Sequence, residues 1–362
     1  MKIKNIFFAA ILVLAGFSCS MEDDAIMNDV EKGIEEATEA YTVLDFGVAF
    51  NEMATKASTT VVPGEDRPAT GDENNDEKKI SEVSVFLLED GKVIGILIPQ
   101  NRNQVSSNSD GSITLKDLKF VTKYKTNRTL EGHVVINGNQ FLKNINIGDA
   151  QSALNQQISG CLSADQLIKY GSTRIVFGKD ITNSYSSPSV AENNPTTILV
   201  KVSHVAARLD FSQFDVTLKG FEGNPTVVFD EAKFVNLQQN GKIVEGDASV
   251  NVKDGAFLNR SNRIGTKWTD MGTAYGYANQ YKQDSEMNTA LYVKFTVDGR
   301  TFEKTYPINP AGITKEVDHN GIKGGYLYDI KVRWTITPDW GDSTIEFYTR
   351  DWVHNSIPEV VL

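Results

Sequence analysis

The sequence predicts a mostly β protein built from two β-sandwich domains with a few short helices. Apolar residues recur at period 2 in many short runs, and clusters of Gly, Asn and Asp divide those runs. Helix-period patterns are few and short. A length of 362 residues suits two domains with a core each, and 40% hydrophobic with 23% charged residues is an ordinary globular balance.

Residues 1–18 read as an export signal. Lys2 and Lys4 form a basic start, and residues 6–17 (IFFAAILVLAGF) form an apolar stretch too short to span a bilayer. Cys19 follows Gly16-Phe17-Ser18, and the small residue before it suits a lipoprotein signal peptidase, after which Cys19 would carry acyl chains (palmitate) as the first mature residue. The alternative is a plain signal peptide with an incidental cysteine. Elsewhere no apolar run approaches the ~20 residues of a membrane-spanning helix, so any membrane link belongs to this end. Residues 19–40 are acidic and mostly polar, which suits a spacer.

Residues 41–50 carry Leu44, Phe46, Val48 and Phe50 alternating with Val43, Asp45, Gly47 and Ala49, the pattern of a half-buried strand. The polar stretch 56–79 follows; its part 64–79, with Glu65, Asp66, Arg67, Asp72, Glu73, Asp76 and Glu77, reads as an exposed, protease-accessible loop. Residues 80–88 and 93–98 around Asp90-Gly91 predict a hairpin with both strands largely buried. Further strands are expected at 118–124, 133–136, 174–177, 197–211, 227–237, 291–297 and 301–306. Short helices are expected at 149–158 and 163–170, the second capped by Ser163. The Ser-, Asn- and Pro-rich stretch 182–195 marks a domain boundary, giving an N-terminal domain 41–195 and a C-terminal domain 196–362. Residues 326–336 and 344–350 predict two last strands separated by Thr337-Pro338-Asp339, and the apolar ending, residues 357–362, calls for a place to pack.

Charge and chemistry narrow the function. Lys+Arg 36 against Asp+Glu 47 gives a net charge of −11, which argues against a nucleic-acid partner. No HExxH, CxxC, GxSxG, GxxxxGK[ST] or helix-opening GxGxxG occurs, and His133, His204, His319 and His354 show no ligand spacing. The expectation is no enzyme, no metal and no cofactor. Cys161 is the second of two cysteines and reads as a small buried side chain. Trp268, Trp334, Trp340 and Trp352 have the surface to stack on sugars, although packing is the favoured reading for each. Asn127-Arg128-Thr129 has the N-x-Thr form without a use for it here.

Taken together, these segments resemble the Bacteroidales fimbrillins, the FimA- and Mfa-type subunits of type V pili. Ser20-Met21-Glu22-Asp23-Asp24 looks like the acidic tag that routes lipoproteins to the cell surface in such bacteria. Ala54-Thr55-Lys56-Ala57 resembles the site where a trypsin-like protease cuts after a basic residue, and residues 79–86 are similar to the strand that follows. Residues 200–211, with Ala206-Ala207-Arg208, resemble the strand that opens the second domain, with His204 where the family commonly has Arg. Residues 345–362, with Trp352, His354-Asn355-Ser356 and the ending Glu359-Val360-Val361-Leu362, are close to the Mfa-type C-terminus.

The resemblance implies transthyretin-like sandwiches and a polymerising subunit, exported as a lipoprotein to the outer membrane through Cys19 and processed on the cell surface. Cleavage between Lys56 and Ala57, or between Arg67 and Pro68 since the family's protease uses Arg, would remove the strand that holds Leu44, Phe46, Val48 and Phe50. A neighbour's segment bearing Ile345, Phe347, Thr349 and Trp352 is the candidate donor strand that refills the groove. Partners are other fimbrial subunits in a self-polymer, with host or bacterial surface ligands beyond them. Two alternatives stand beside the stalk subunit. One is a lipid-anchored base or tip adhesin, with surface aromatics such as Tyr275, Tyr277 and Tyr281 as a ligand site unless they pack on their own sheet; the other is a surface glycan-binding lipoprotein.

Overall fold

The computed structural model describes residues 39–50, 75–100, 102–107, 113–246, 248–255, 263–312, 319–339 and 341–351. Strands dominate, and the α-helices are two short pieces, α1 (Asn139–Leu142) and α2 (Pro188–Glu192).

The first sandwich is made, in chain order, of β1 (Tyr41–Phe50), β2 (Val83–Glu89), β3 (Lys92–Leu97), β4 (Val105–Ser107), β5 (Ile113–Lys123), β6 (Thr129–Ile136), β7 (Gln157–Ser159), β8 (Lys169–Val176) and β9 (Thr196–His204). Eight of these are hydrogen-bonded in the order β3-β2-β6-β8-β9-β1-β5-β4. The link between β8 and β9 is short, Lys169 opposite His204 and Tyr170 opposite Ser203. At that corner the ladder turns into two layers, and the β9 backbone passes so close that a Cβ on Gly171 would stand 1.9 Å from the Lys201 carbonyl oxygen. Leu44, Phe46 and Val48 of β1 and Ile113 of β5 face Val85 of β2 and Val134 of β6 in one buried core. The β2–β3 hairpin closes on Asp90 and Gly91 with φ of 49° and 71°, the two left-handed positions that a tight two-residue turn demands.

The second sandwich holds β10 (Ala207–Leu218), β11 (Val227–Val235), β12 (Leu237–Gln238), β13 (Asn240–Lys242), β14 (Val252–Lys253), β15 (Arg263–Ile264), β16 (Lys267–Gly276), β17 (Ala290–Val297), β18 (Arg300–Pro307), β19 (Tyr326–Ile336) and β20 (Gly341–Asp351). Its two four-stranded sheets run β16-β10-β19-β20 and β15-β11-β17-β18. Aromatic rings knit them: Phe214 lies edge-on to Phe295 at 5.3 Å, and Phe295 to Trp334 at 5.0 Å, spacings in the favourable range for ring pairs.

A third cluster joins the sandwiches. Phe86 and Val135 from the outer face of the first meet Leu154, Ile158 and Leu167, and with them Ile243, Tyr277 and Leu327 of the second. Backbone pairing crosses the same junction, with β7 antiparallel to β13. That pairing explains why the expected helix 149–158 is absent. A 3-10 turn, Gln151–Leu154, is all that forms before β13 claims the backbone of β7, a case of a tertiary ladder overriding local periodicity. The expected helix 163–170 likewise reduces to a 3-10 turn at Ala164–Gln166; Ser163 stands at its N-cap without a side-chain bond, and β8 begins at Lys169.

Other expectations need correction. The run 197–211 is two strands: β9 belongs to the first sandwich and β10 to the second, so the chain crosses over at Val205-Ala206, beyond the cut expected near residue 195. The stretch 182–195 holds α2 and packs on β1 and β5, so it is no bare linker. β2 is buried nearly throughout, but β3 only in part. Strand β16 has no counterpart in the sequence reading.

Candidate functional site

Strand β1 is held on every side. Along one edge it runs antiparallel to β5, from Tyr41 opposite Lys123 to Val48 opposite Ile113; along the other it runs parallel to β9, from Leu44 opposite Thr196 to Phe50 opposite Val202. Leu44, Phe46 and Val48 have no exposed surface, and Phe50 retains 6%. These four side chains contribute on the order of 6–12 kcal/mol of gross burial free energy, at about 1.5–3 each. The Phe46 ring reaches across the sandwich to Gly132 of β6, where a Cβ would stand 3.2 Å from Cε1. The ladder to β5 shifts between Asp45 and Gly47. At Gly47 a Cβ would meet Leu199 Cδ1 at 3.1 Å and the Ile113 carbonyl oxygen at 3.2 Å, so the rung is crowded for any side chain.

The strand was expected to be half-buried, and it is covered on both faces. Val43 is fully buried and Gly47 is buried, while Asp45 and Ala49 are half-buried. Both edges of β1 are hydrogen-bonded and its inner face is in the core, so α2, which packs on β1 and β5, lies on the remaining face. Local chemistry fixes that helix. Val190 N–H donates to Ser187 Oγ at the N-cap, Pro188 stands in the first turn, and Lys119 of β5 donates to the Glu192 carbonyl at 2.8 Å. The loop before α2 is tied to β1 through Tyr41 and Tyr185, which exchange two backbone hydrogen bonds of 2.8 Å each. Lys123 and the Tyr41 hydroxyl both donate to Glu39 and hold its carboxyl below the usual carboxylate range.

Cys19, the cleavage candidates Lys56, Ala57, Arg67 and Pro68, and Trp352 lie outside the described residues. The donor candidates Ile345, Phe347 and Thr349 fall on β20, which is antiparallel to β19 along its length, from Ile336 opposite Gly341 to Tyr326 opposite Asp351. Ile345 packs, partly buried, against the second core.

A second cluster escaped the sequence reading. The polar composition of 64–79 places Glu77 in an exposed loop, yet it sits fully buried in a 3-10 turn, Asn75–Lys78. Its Oε2 accepts from Arg208 Nη1 at 2.9 Å, its Oε1 accepts from the Tyr275 hydroxyl, and its backbone carbonyl accepts from Lys169 Nζ at 2.9 Å. Arg208 Nε also donates to Asp210 at 2.9 Å. Burial first, then the Glu77 carboxylate, pushes the Tyr275 hydroxyl well above its ordinary value. The turn before β2 is thereby bonded to β8 and to β10 and β16 of the second sandwich. The available signal was Arg208 itself, a cation inside an apolar strand.

Among the described residues the other sequence candidates come together in no site. Tyr277 is buried, and its hydroxyl donates to the Gly160 carbonyl at 2.7 Å; Tyr275 points at Glu77, and Tyr281 is half-buried. These three make no exposed aromatic platform. Trp268 and Trp334 are core residues, while Trp340 and Trp352 lie outside the described residues. Cys161 is half-buried, where full burial was expected; it accepts a hydrogen bond from Gln140 Nε2 at 3.1 Å, and burial pushes its thiol up, away from thiolate chemistry. His133 is buried with Nδ1 2.8 Å from the Tyr170 hydroxyl and Nε2 3.3 Å from Glu131, and burial lowers its affinity for a proton. Among the described residues no group of three or more His, Cys, Asp or Glu is placed to hold a metal, and no helix is long and apolar enough to cross a membrane.

The architecture defines a two-sandwich β protein whose first strand is seated in the middle of a sheet. No family model matches the sequence, and no curated protein matches it. Solved structures do match. An inferred cell adhesion protein from Parabacteroides distasonis ATCC 8503 is 17% identical over 86% of this chain and 98% of its own, with a TM-score of 0.58. Another inferred cell adhesion protein from that organism is 11% identical over 87% and 99%, with a TM-score of 0.50. A fimbrillin, FimA, from Porphyromonas gingivalis W83 is 14% identical over 87% and 99%, with a TM-score of 0.49. The structural neighbours thus include Bacteroidales fimbrial and cell adhesion proteins, and at these identities the likeness is one of fold.

Proposed function

We propose that the chain is a structural subunit of a cell-surface fimbrium, a fimbrillin of the type V pilus kind that supports adhesion, with no catalytic role. One observation carries the reading: a large apolar strand, β1, lies near the start of the compact unit yet occupies an interior place in a sheet, bonded on both edges and covered on both faces. A strand so placed can be parted from the rest by one cut in 51–74, a segment that carries Lys56 and Arg67. Its loss would leave unpaired backbone along β5 and β9 and an apolar slot, which a strand from a neighbouring subunit satisfies by the same ladder. Strand β20, with Ile345, Phe347 and Thr349, and Trp352 beyond it, is the proposed donor. In this reading the precursor reaches the outer membrane surface through lipid on Cys19, is cut after Lys56 or Arg67, and joins other fimbrial subunits. The likeness in fold to cell adhesion proteins supports the assignment.

N-terminal sequencing of the protein recovered from the cell surface tests it. A start at Ala57 or Pro68 in material that forms ladders resistant to mild denaturation is the expected result. An acyl-Cys19 start in every assembled molecule would instead place the chain as a lipid-anchored base or tip.

A further inference from the structure

The following rests on the reading of β1's place as an exchangeable seat. We propose that the outward side of that seat selects its occupant: Leu199, opposite Gly47 and leaning over it, together with α2 on the same face, favours a strand from another subunit that alternates large inward residues with small outward ones and carries glycine at the Leu199 rung.

Both faces prescribe size. Inward, Phe46 is fully buried and has room because Gly132 lacks a side chain, its Cβ position lying 3.2 Å from the ring. Outward, Gly47 and Leu199 are direct partners in the parallel ladder. A Cβ at 47 would lie 3.1 Å from Leu199 Cδ1 and 3.2 Å from the Ile113 carbonyl oxygen, with Thr197 Cγ2 at 4.0 Å. Leu199 can yield by rotating, since it is 52% exposed, but the Ile113 oxygen belongs to the backbone of β5. Nearer the start of β1, Val43 and Ala191 of α2 are both fully buried, so that strip is closed as well.

Main-chain pairing alone accepts any extended segment, and the pockets for alternate side chains give specificity. Strand β20 has Thr344, Glu346 and Tyr348 between Ile345, Phe347 and Thr349. In any register that turns those three inward, a side chain meets Leu199. The C-terminal strand of a second copy is therefore a weaker occupant than a strand with glycine at that rung, and a subunit of different sequence is the better-matched donor.

The test uses the purified chain with a site-specific protease sequence inserted within 51–74, cut while β1 is still in place. A fluorescent decapeptide with the β1 sequence, YTVLDFGVAF, competes for the seat, and anisotropy reads its uptake. The expected result is uptake of this peptide, about tenfold weaker binding of the Gly47→Leu peptide, and recovery of part of that loss in the Leu199→Ala chain, the Ile113 carbonyl keeping the rest. Equal uptake of the two peptides overturns the selectivity and leaves the seat standing. Weaker binding without recovery in Leu199→Ala overturns the role of Leu199. No uptake of the parent peptide overturns the exchangeable seat and the selectivity with it.

Discussion

Glu77 and Arg208 stand 131 positions apart in the chain and meet as a buried ion pair at 2.9 Å. A carboxylate with no exposed surface pays a desolvation cost that only close partners offset, and here Arg208, Tyr275 and the neighbouring Lys169 supply them. Glu77→Gln should cost about 3 kcal/mol, the low end for breaking a buried pair because Asp210 still engages Arg208. Urea unfolding of the variant measures this, and an unchanged midpoint refutes it. Adding Arg208→Met to Glu77→Gln should restore part of the loss.

Phe46→Ala empties a fully buried site between β1 and β6. The expected loss is about 3–5 kcal/mol, as for other buried Phe truncations. Ala49→Ser, at a half-buried outward position of the same strand, should cost under about 1 kcal/mol. Thermal unfolding compares the two, and similar losses would contradict the assignment of inward and outward faces.

The corner between β8 and β9 depends on Gly171, since an added methyl would overlap the Lys201 carbonyl. Gly171→Ala should cost about 1–3 kcal/mol through forced backbone movement and should weaken hydrogen-exchange protection at Tyr170 and Ser203, the pair that spans the corner. Unaltered protection at both amides would rule this out.

His133 gives the stability a pH dependence. Burial depresses its folded-state pKa below the 6.5 of a free imidazole, although Glu131 partly counters this. The unfolded chain therefore takes up the proton first, and stability falls as pH drops below about 6.5 towards the folded-state value. His133→Gln should flatten that part of the curve and leave the slope above pH 7 unchanged. Melting temperatures between pH 5 and 8 decide it, and an identical slope in the variant would remove His133 as the cause.

Long alternating runs were legible because their period reports the local environment: Tyr41–Phe50, the Asp90-Gly91 hairpin and Tyr326–Ile336 fall where the sequence places them. Strand β16 was hidden. Its partner ladder shifts between Phe211 and Gln213, Asp270 takes a positive φ, and Trp268, Met271 and Ala274 are buried at intervals of three, so no clean period 2 survives. The second face of β1 was hidden for another reason. Val43 and Gly47 look like an outward face until elements far along the chain close over β1: α2 packs on the strand, and Leu199 of β9 leans over Gly47. Glu77 reads as one acid among many, and its burial depends on Arg208 in the other sandwich.

The parallel register of β1 with β9 has a directional consequence. An occupant that reproduces the ladder of β1 runs the same way along β9, and in a row where each subunit fills the next every junction would then point the same way. Such a row stays open, unlike two copies that fill each other's slot and close into a pair. It has two unlike ends, one showing a vacant slot and the other an unused strand, and growth and termination at those ends call for different partners.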